Sequence, residues 1–251
     1  MIYDKLSKYY DQFLDLELYD IYYKLIKKHI RKGNVIDLGT GTGILAIKLA
    51  KEDFFVTATD ISTRMLETAY NNALLENVDI RFFIHDILEQ LNQPYDLIVM
   101  SSDVINYLDS ESDIKKAFKN INDVMTKDSI FIFDFLRPKY LDSLNNYSED
   151  IELEDTIIIW KIIKTDTLNQ VKHTLTMGND VETHIQTTYE LKKYKELLNS
   201  QNLKVVKAKT LDERIILVCE RKSNWFPFLF RQNWKVMLES KMSGWKNEWK
   251  L

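Results

Sequence analysis

Residues 34 to 43 read Asn-Val-Ile-Asp-Leu-Gly-Thr-Gly-Thr-Gly, and Asp60, in the run Thr-Ala-Thr-Asp-Ile-Ser, stands seventeen residues beyond Gly43. An apolar run stops at a glycine-rich turn, a helical pattern follows, and a second short strand ends in a carboxylate. That layout is half of an α/β unit that holds an adenosine-containing cofactor over its strand ends. The glycine spacing narrows the choice. A dinucleotide fingerprint needs a glycine five residues after the first, and counting from Gly39 that position is Ile44. A phosphate-binding loop closes on Gly-Lys-Ser/Thr, whereas Ile44, Leu45 and Ala46 follow Gly43. The turn permits close backbone approach without a pyrophosphate or triphosphate cradle. A zwitterionic methionine tail carrying ribose and adenine fits better, which points to S-adenosylmethionine (SAM) and its product S-adenosylhomocysteine (SAH).

Strand ends in such a sheet face the crevice where ligands sit. Gly39, Thr40, Gly41 and Gly43 are expected to pass under the methionine portion, with backbone N–H groups and a helix start toward its carboxylate. Asp37 is placed to orient the ammonium, and Asp60 to accept both ribose hydroxyls. Ile61 and Ile87 would pack on the two faces of the adenine, with Asp86 accepting its amino group. Met65 and Ser101 join this cofactor set. Helix capping is the plainer role open to Asp60 and Asp86.

A sulfonium is already an activated electrophile, so methyl transfer mainly requires nucleophile, methyl carbon and sulfur held in line. A base is needed only for a protonated acceptor. Candidate catalytic residues are Tyr10, Asp103, Asn106, Tyr107 and His173, with Asp134 also after an expected strand; packing or capping is an equal reading for Asn106 and Tyr107. Trp160, His184 and Arg137 are expected to contact the acceptor. His173 and His184 fall on neighbouring strands of an expected meander and could share a face, one of them serving as general base. They lack a clear third ligand, so no metal is expected. His29 reads as a solvated helix residue, and His85 as a strand end.

The elements that must position these residues follow from periodicity. Strands are expected near 34–38, 55–59, 80–84, 96–101 and 129–135, alternating with helical patterns, the mark of a doubly wound parallel sheet. Ser62 is a plausible N-cap after the second strand, and Ser112 or Asp113 after the fourth. Residues 3–32 read as one or two amphipathic helices. After Pro138 the pattern changes: 151–163, 168–177 and 181–190 alternate as three antiparallel strands, with Gly178-Asn179-Asp180 as a turn. A helix at 190–201 and strands at 203–209 and 213–220 follow. The expected division is one domain over 1–222, with 151–190 inserted as an antiparallel cap, and an aromatic, basic tail over 223–251.

Composition bounds the function. The 251 residues are 45% apolar and 29% charged, ordinary for one sizeable core. The lone cysteine, Cys219, lies in the apolar run 215–219 and reads as a buried strand residue; one cysteine makes no internal disulfide. No signal-peptide core or 18-residue apolar span is present, so the expectation is a soluble, cytoplasmic protein. The net charge of -4 is uneven: residues 221–251 carry seven Lys or Arg against two Glu, a net of +5, leaving -9 for residues 1–220. An acidic body does not suit nucleic acid, whose phosphates need dense Lys and Arg. Trp225, Trp234, Trp245 and Trp249 among the tail's basic residues fit a peripheral membrane helix, a nucleic-acid contact, a subunit interface or a helix packed on the body. Monomer and homodimer are both open.

The same residues carry a resemblance. Val35 to Gly43 resembles motif I of class I SAM-dependent methyltransferases, Asp60 the acid ending their second strand, and His85-Asp86-Ile87 the turn after the third. Tyr10-Asp11, then Asp103, Asn106 and Tyr107, then Trp160, His173 and Glu182-Thr183-His184 resemble the YqeM-like bacterial group, over roughly residues 3 to 222. The resemblance implies a seven-stranded Rossmann-like sheet with a late antiparallel hairpin, SAM as cofactor, and a cap over the acceptor. Thr187 stands where relatives often carry Arg, which puts in doubt an anionic substrate shared with them. The activity implied is methyl transfer to an O or N atom of a small molecule. A tRNA-modifying methyltransferase and a non-catalytic SAM-binding regulator are the alternatives.

Overall fold

The computed structural model describes residues 9–13, 16–153 and 156–222. Seven strands form the main sheet: β1 (Asn34–Leu38), β2 (Phe55–Asp60), β3 (Arg81–Ile84), β4 (Tyr95–Met100), β5 (Met125–Leu136), β10 (Leu203–Thr210) and β11 (Arg214–Arg221). Their order is β10-β11-β5-β4-β1-β2-β3. Pairing is parallel from β3 to β5, and β11 runs antiparallel to both β5 and β10. The chain winds outward in both directions from β1 and β4, so a crevice opens above their carboxyl ends. This is the Rossmann-like methyltransferase sheet with the expected late hairpin.

Alternation along β5 shows why the sheet is buried on both faces. Phe131, Phe133 and Phe135 point to one side and pack with Phe118 and Tyr194, while Ile130 and Ile132 point to the other, with Leu97, Val99, Ile216 and Val218. Phe131 and Phe133 stack with ring centroids 4.9 Å apart. Cys219 is buried in the phenylalanine-lined layer.

Helices cover those faces. In α1 (Leu16–His29), Leu18, Tyr19, Tyr22, Leu25 and Ile26 are buried at three- and four-residue spacing, and His29 is exposed. The 3-10 turn Tyr10–Phe13 precedes it. The helix α2 (Ile44–Ala50) starts at the glycine turn, and α3 (Thr63–Leu75) is capped by Ser62, whose side chain accepts from the Met65 N–H. The expected cap at Ser112 or Asp113 is corrected: Ser110 caps α4 (Glu111–Val124), accepting from the Asp113 N–H at 3.1 Å. Ser110 also donates its hydroxyl to Asp113 at 2.6 Å, so Asp113 is the third helical residue answering the cap. Two further helices are α5 (Pro138–Ser143) and α6 (Leu191–Ser200).

The insertion has four strands, not three: β6 (Tyr147–Glu152), β7 (Ile157–Lys164), β8 (Gln170–Met177) and β9 (Asp180–Thr187), antiparallel and in chain order. The expected single strand at 151–163 breaks, where Leu153 N–H bonds the Thr156 carbonyl at 2.9 Å. The cap also begins earlier, at Tyr147, and the last strand ends at Thr187 rather than 190. The tail 223–251, with its tryptophans, lies outside the described residues.

Candidate active site

Two cavities of about 350 and 360 Å³ lie over the sheet's carboxyl ends, and Tyr10, Tyr19 and Ser102 line both. The first is built on the glycine turn. Gly39 sits at φ +72°, and a Cβ there would fall 2.5 Å from Val104 Cγ2, so only glycine lets the chain pass. Gly41, at φ +56°, lies beneath Tyr10, 3.6 Å from its ring to a built Cβ. Gly43 does not line the cavity; it starts α2 and lets that helix approach Ala69 of α3. Asp11 accepts from Thr42 Oγ1 and from Asn72 Nδ2, the latter at 3.4 Å, pinning the Tyr10–Asp11 segment to the turn, while Asn72 also donates to the Thr42 carbonyl at 3.1 Å.

Asp60 closes the same turn from β2. Its Oδ2 accepts from the Gly41 N–H and its Oδ1 from the Ser62 N–H, both at 2.9 Å, leaving the carboxylate at the cavity wall. Ile61 and Ile87 line that wall with Asp86, which accepts from the Leu88 N–H at 2.9 Å. Thr40, Met65, His85, Ser101 and Tyr107 belong to the same lining. Asp37 lies outside it, buried, with Oδ2 accepting from Thr40 Oγ1 at 2.8 Å. Its Oδ1 has no hydrogen-bond partner among the described residues. Burial raises its pKa to about 7, against the Thr40 hydrogen bond and with help from the charge of Asp60.

These residues fit SAM. The unmet Asp37 oxygen suits an ammonium, directly or through water, the glycine turn suits the methionine portion, and Asp60 can still accept from hydroxyls. Two branched aliphatic residues beside Asp86 suit a flat, amino-bearing base.

The second cavity carries the aromatic and charged groups. Ser102 and Asp103 both hold left-handed backbone, φ +59° and +56°, an uncommon state for non-glycine residues that turns the chain sharply at the shared wall. Asp103 accepts from Gln186 Nε2 at 2.6 Å and Arg214 Nη1 at 2.8 Å. Arg214 also bonds Asp134, fully buried, at 2.7 Å, and the Tyr22 hydroxyl donates to the same Asp134. Burial would lower the Arg214 pKa, but Asp134 and Asp103 more than offset it and hold the guanidinium ionised. Burial raises the Tyr19 pKa to about 12, and Ser102 Oγ donates to that hydroxyl at 3.3 Å.

Trp160 and His173 line this cavity, and Trp160 Nε1 donates to His173 Nδ1 at 3.2 Å. That bond places the His173 proton on Nε2. Burial lowers the His173 pKa, opposed by Asp103 and Gln186. His184 is its cross-strand partner in β9, with the rings stacked at 5.0 Å. It lies behind His173, 5.9 Å from the Tyr107 ring, and outside both linings. Burial first, then the charge of His173, lowers its pKa to about 3.

Besides His184, Gly43 and Asp37, two more expected site residues lie outside both linings. Arg137 precedes α5 and donates from Nη1 to the carbonyls of Leu211 and Asp212 at 3.2 and 3.1 Å, which holds the β10–β11 turn rather than an acceptor. Asn106 is buried and bridges three segments. It donates to the Thr187 carbonyl at 2.8 Å and accepts from the Leu136 N–H at 2.9 Å, so its amide is a structural clasp away from both cavities. Sequence reasoning missed Tyr19, Gln186 and Arg214. A lone Arg opening the apolar strand Arg214-Ile215-Ile216-Leu217-Val218 was the available signal. Among the described residues no group of three or more His, Cys, Asp or Glu could hold a metal ion, and no helix is long and apolar enough to cross a membrane.

Comparison with known proteins gives the family and the fold. Residues 35–128 match the family described as a methyltransferase domain. The chain is 30% identical over 226 residues to GWCH70_2453 of Geobacillus sp. (strain WCH70), a provisionally named methyltransferase, covering 82% of this chain and 90% of that one. It is 28% identical over 212 residues to the similarly named YqeM of Bacillus subtilis (strain 168), over 80% and 85% of the two chains. A solved S-adenosylmethionine-dependent methyltransferase of Clostridium acetobutylicum ATCC 824 shares the fold with a TM-score of 0.77 at 22% identity, covering 88% of this chain and 99% of that one. The chain belongs to the class I SAM-dependent methyltransferases, in the group that includes YqeM.

Proposed function

We propose that this SAM-dependent methyltransferase acts on an O or N atom of a small molecule held in the cavity under the inserted sheet. One observation carries the reading: the cofactor cavity and the second cavity meet at Tyr10, Tyr19 and Ser102. SAM, when bound, supplies a methyl group on a positively charged sulfur. The chain's part is to bind, orient and keep out water. Asp60, Ile61 and Ile87 fix the nucleoside end, the glycine turn and Asp37 the amino-acid end, and Tyr10 and Tyr19 the junction. In-line placement alone supplies much of such a rate enhancement.

An opening of about 360 Å³ lined by Trp160, Ile162, Leu175 and Tyr140 suits a compact organic molecule. A folded tRNA would need a basic face, and residues 1–220 carry a net charge of -9. The test is methyl transfer from labelled SAM across a small-molecule panel, with Trp160→Ala and His173→Ala measured beside the parent. Both variants should lose turnover by roughly ten-fold or more while SAH affinity changes little, as expected for groups on the acceptor side. Equal loss of both would assign these residues to holding the fold. Absence of product across the panel, with SAH bound normally, would favour a regulatory SAM-binding role.

A further inference from the structure

The charges on the acceptor cavity's wall select one acceptor class, given the reading above that this cavity holds the acceptor. Asp103, Glu213 and Arg214 line it. The guanidinium is committed: Nη1 lies 2.8 Å from Asp103 and 2.7 Å from Asp134, and Nη2 lies 3.7 Å from Glu213. One cation answers three carboxylates, so among the described residues lining the cavity no positive charge is left to hold an anionic acceptor. The same wall carries the rings of Tyr10, Tyr19, Tyr140, Tyr147 and Trp160, whose faces attract a cation.

The wall's imidazole sharpens the choice. A hydroxyl acceptor must lose its proton to a base as it attacks, whereas an ammonium can give its extra proton to water beforehand and attack through the freed lone pair. His173 would be the base for a hydroxyl, yet its Nδ1 lone pair is taken by Trp160 Nε1 at 3.2 Å, and its other nitrogen carries the proton. We propose that the acceptor is an amine on a compact, largely apolar body, with its nitrogen toward the junction of Tyr10, Tyr19 and Ser102 and its developing charge met by Asp103. An amine arriving as its ammonium first gives the extra proton to water; the neutral amine's lone pair then forms the N–C bond, and the C–S bond breaks with its electron pair going to sulfur. Positive charge thereby passes from sulfur to nitrogen, and one N–H proton then leaves to water. Ring faces accept both the ammonium and the methylated cation, and a carboxylate fixed by Gln186 and Arg214 lies on the same wall.

The experiment is calorimetry on the full chain saturated with SAH. The probes are benzyl and cyclohexylmethyl bodies, each as the amine, the alcohol and the carboxylate. The amines should bind about ten-fold tighter than the matching alcohols, with the carboxylates weakest. Asp103→Asn should remove most of that preference while SAH affinity holds. Because Asp103 also anchors Arg214, Glu213→Gln is a second variant and should narrow the preference by a smaller factor. Alcohols or carboxylates binding as well as amines, no binding by any probe, or a preference untouched in both variants would overturn the amine assignment. Failure of the parent protein to bind SAH would instead sink the proposed arrangement of cofactor and acceptor cavities beneath it.

Discussion

At the scale of single residues, two carboxylates have separate and measurable duties. Asp60 accepts two backbone N–H groups at 2.9 Å and faces the cofactor cavity. Asp60→Ala should weaken SAH binding by roughly 2 kcal/mol, the usual loss of hydrogen bonds to a charged acceptor. Unchanged affinity in calorimetry would remove Asp60 from the cofactor site. Asp37 predicts a pH effect. Burial puts its pKa near 7 in the free protein, and an ammonium beside it would favour the ionised form, so the bound state has the lower value. Binding then releases a proton between those two values, and affinity falls as pH drops below about 7. Heats measured in buffers of different ionisation enthalpy should show that release, and Asp37→Asn should abolish it. The glycine turn and Asp60 were legible because their spacing is local. Arg214 was not, because its partners Asp134 and Asp103 lie 80 and 111 residues away in the chain.

At the scale of elements, the core strands were readable as short apolar runs, and the cap only in part. The run from 151 to 163 is apolar enough to pass for one strand, and only the Glu154-Asp155 pair marks where it breaks. Arg137 misled for a related reason: it follows β5, where site residues gather, but its reach is set by the distant β10–β11 turn. In β5, Phe133 is fully buried against four other rings, Phe118, Phe131, Phe135 and Tyr194. Phe133→Ala should cost about 3–5 kcal/mol in denaturant unfolding, and a loss under 1 kcal/mol would mean the layer can collapse on the cavity. In the cap, His184 is held with a pKa near 3, below its ordinary 6.5. The unfolded chain therefore binds the extra proton first, and stability is lost as pH falls from about 6.5 toward 3. His184→Gln should flatten that slope; an unaltered slope would place the titrating group elsewhere.

At the scale of the whole molecule, one division of labour emerges. The parallel half of the sheet brings the residues proposed to hold the cofactor to the carboxyl ends of β1, β2, β3 and β4. The antiparallel additions, β11 and the cap, bring Arg214, Trp160, His173 and Gln186 to the second cavity. On the proposed function, acceptor choice could thus vary without disturbing the glycine turn. The main sheet is complete at Arg221, so a chain ending at Ser223 should fold and keep its SAH affinity. Precipitation of that chain would make 224–251 part of the folded core, and a changed mass in solution would make it an interface. The central claim is that the two cavities form one reaction path. A crystal structure of the SAH complex tests it most directly. The adenine should lie between Ile61 and Ile87, and the sulfur should sit at the junction of Tyr10, Tyr19 and Ser102, open to the cavity of Trp160 and Asp103. A sulfur walled off from that cavity, or a cofactor bound elsewhere, would contradict the account.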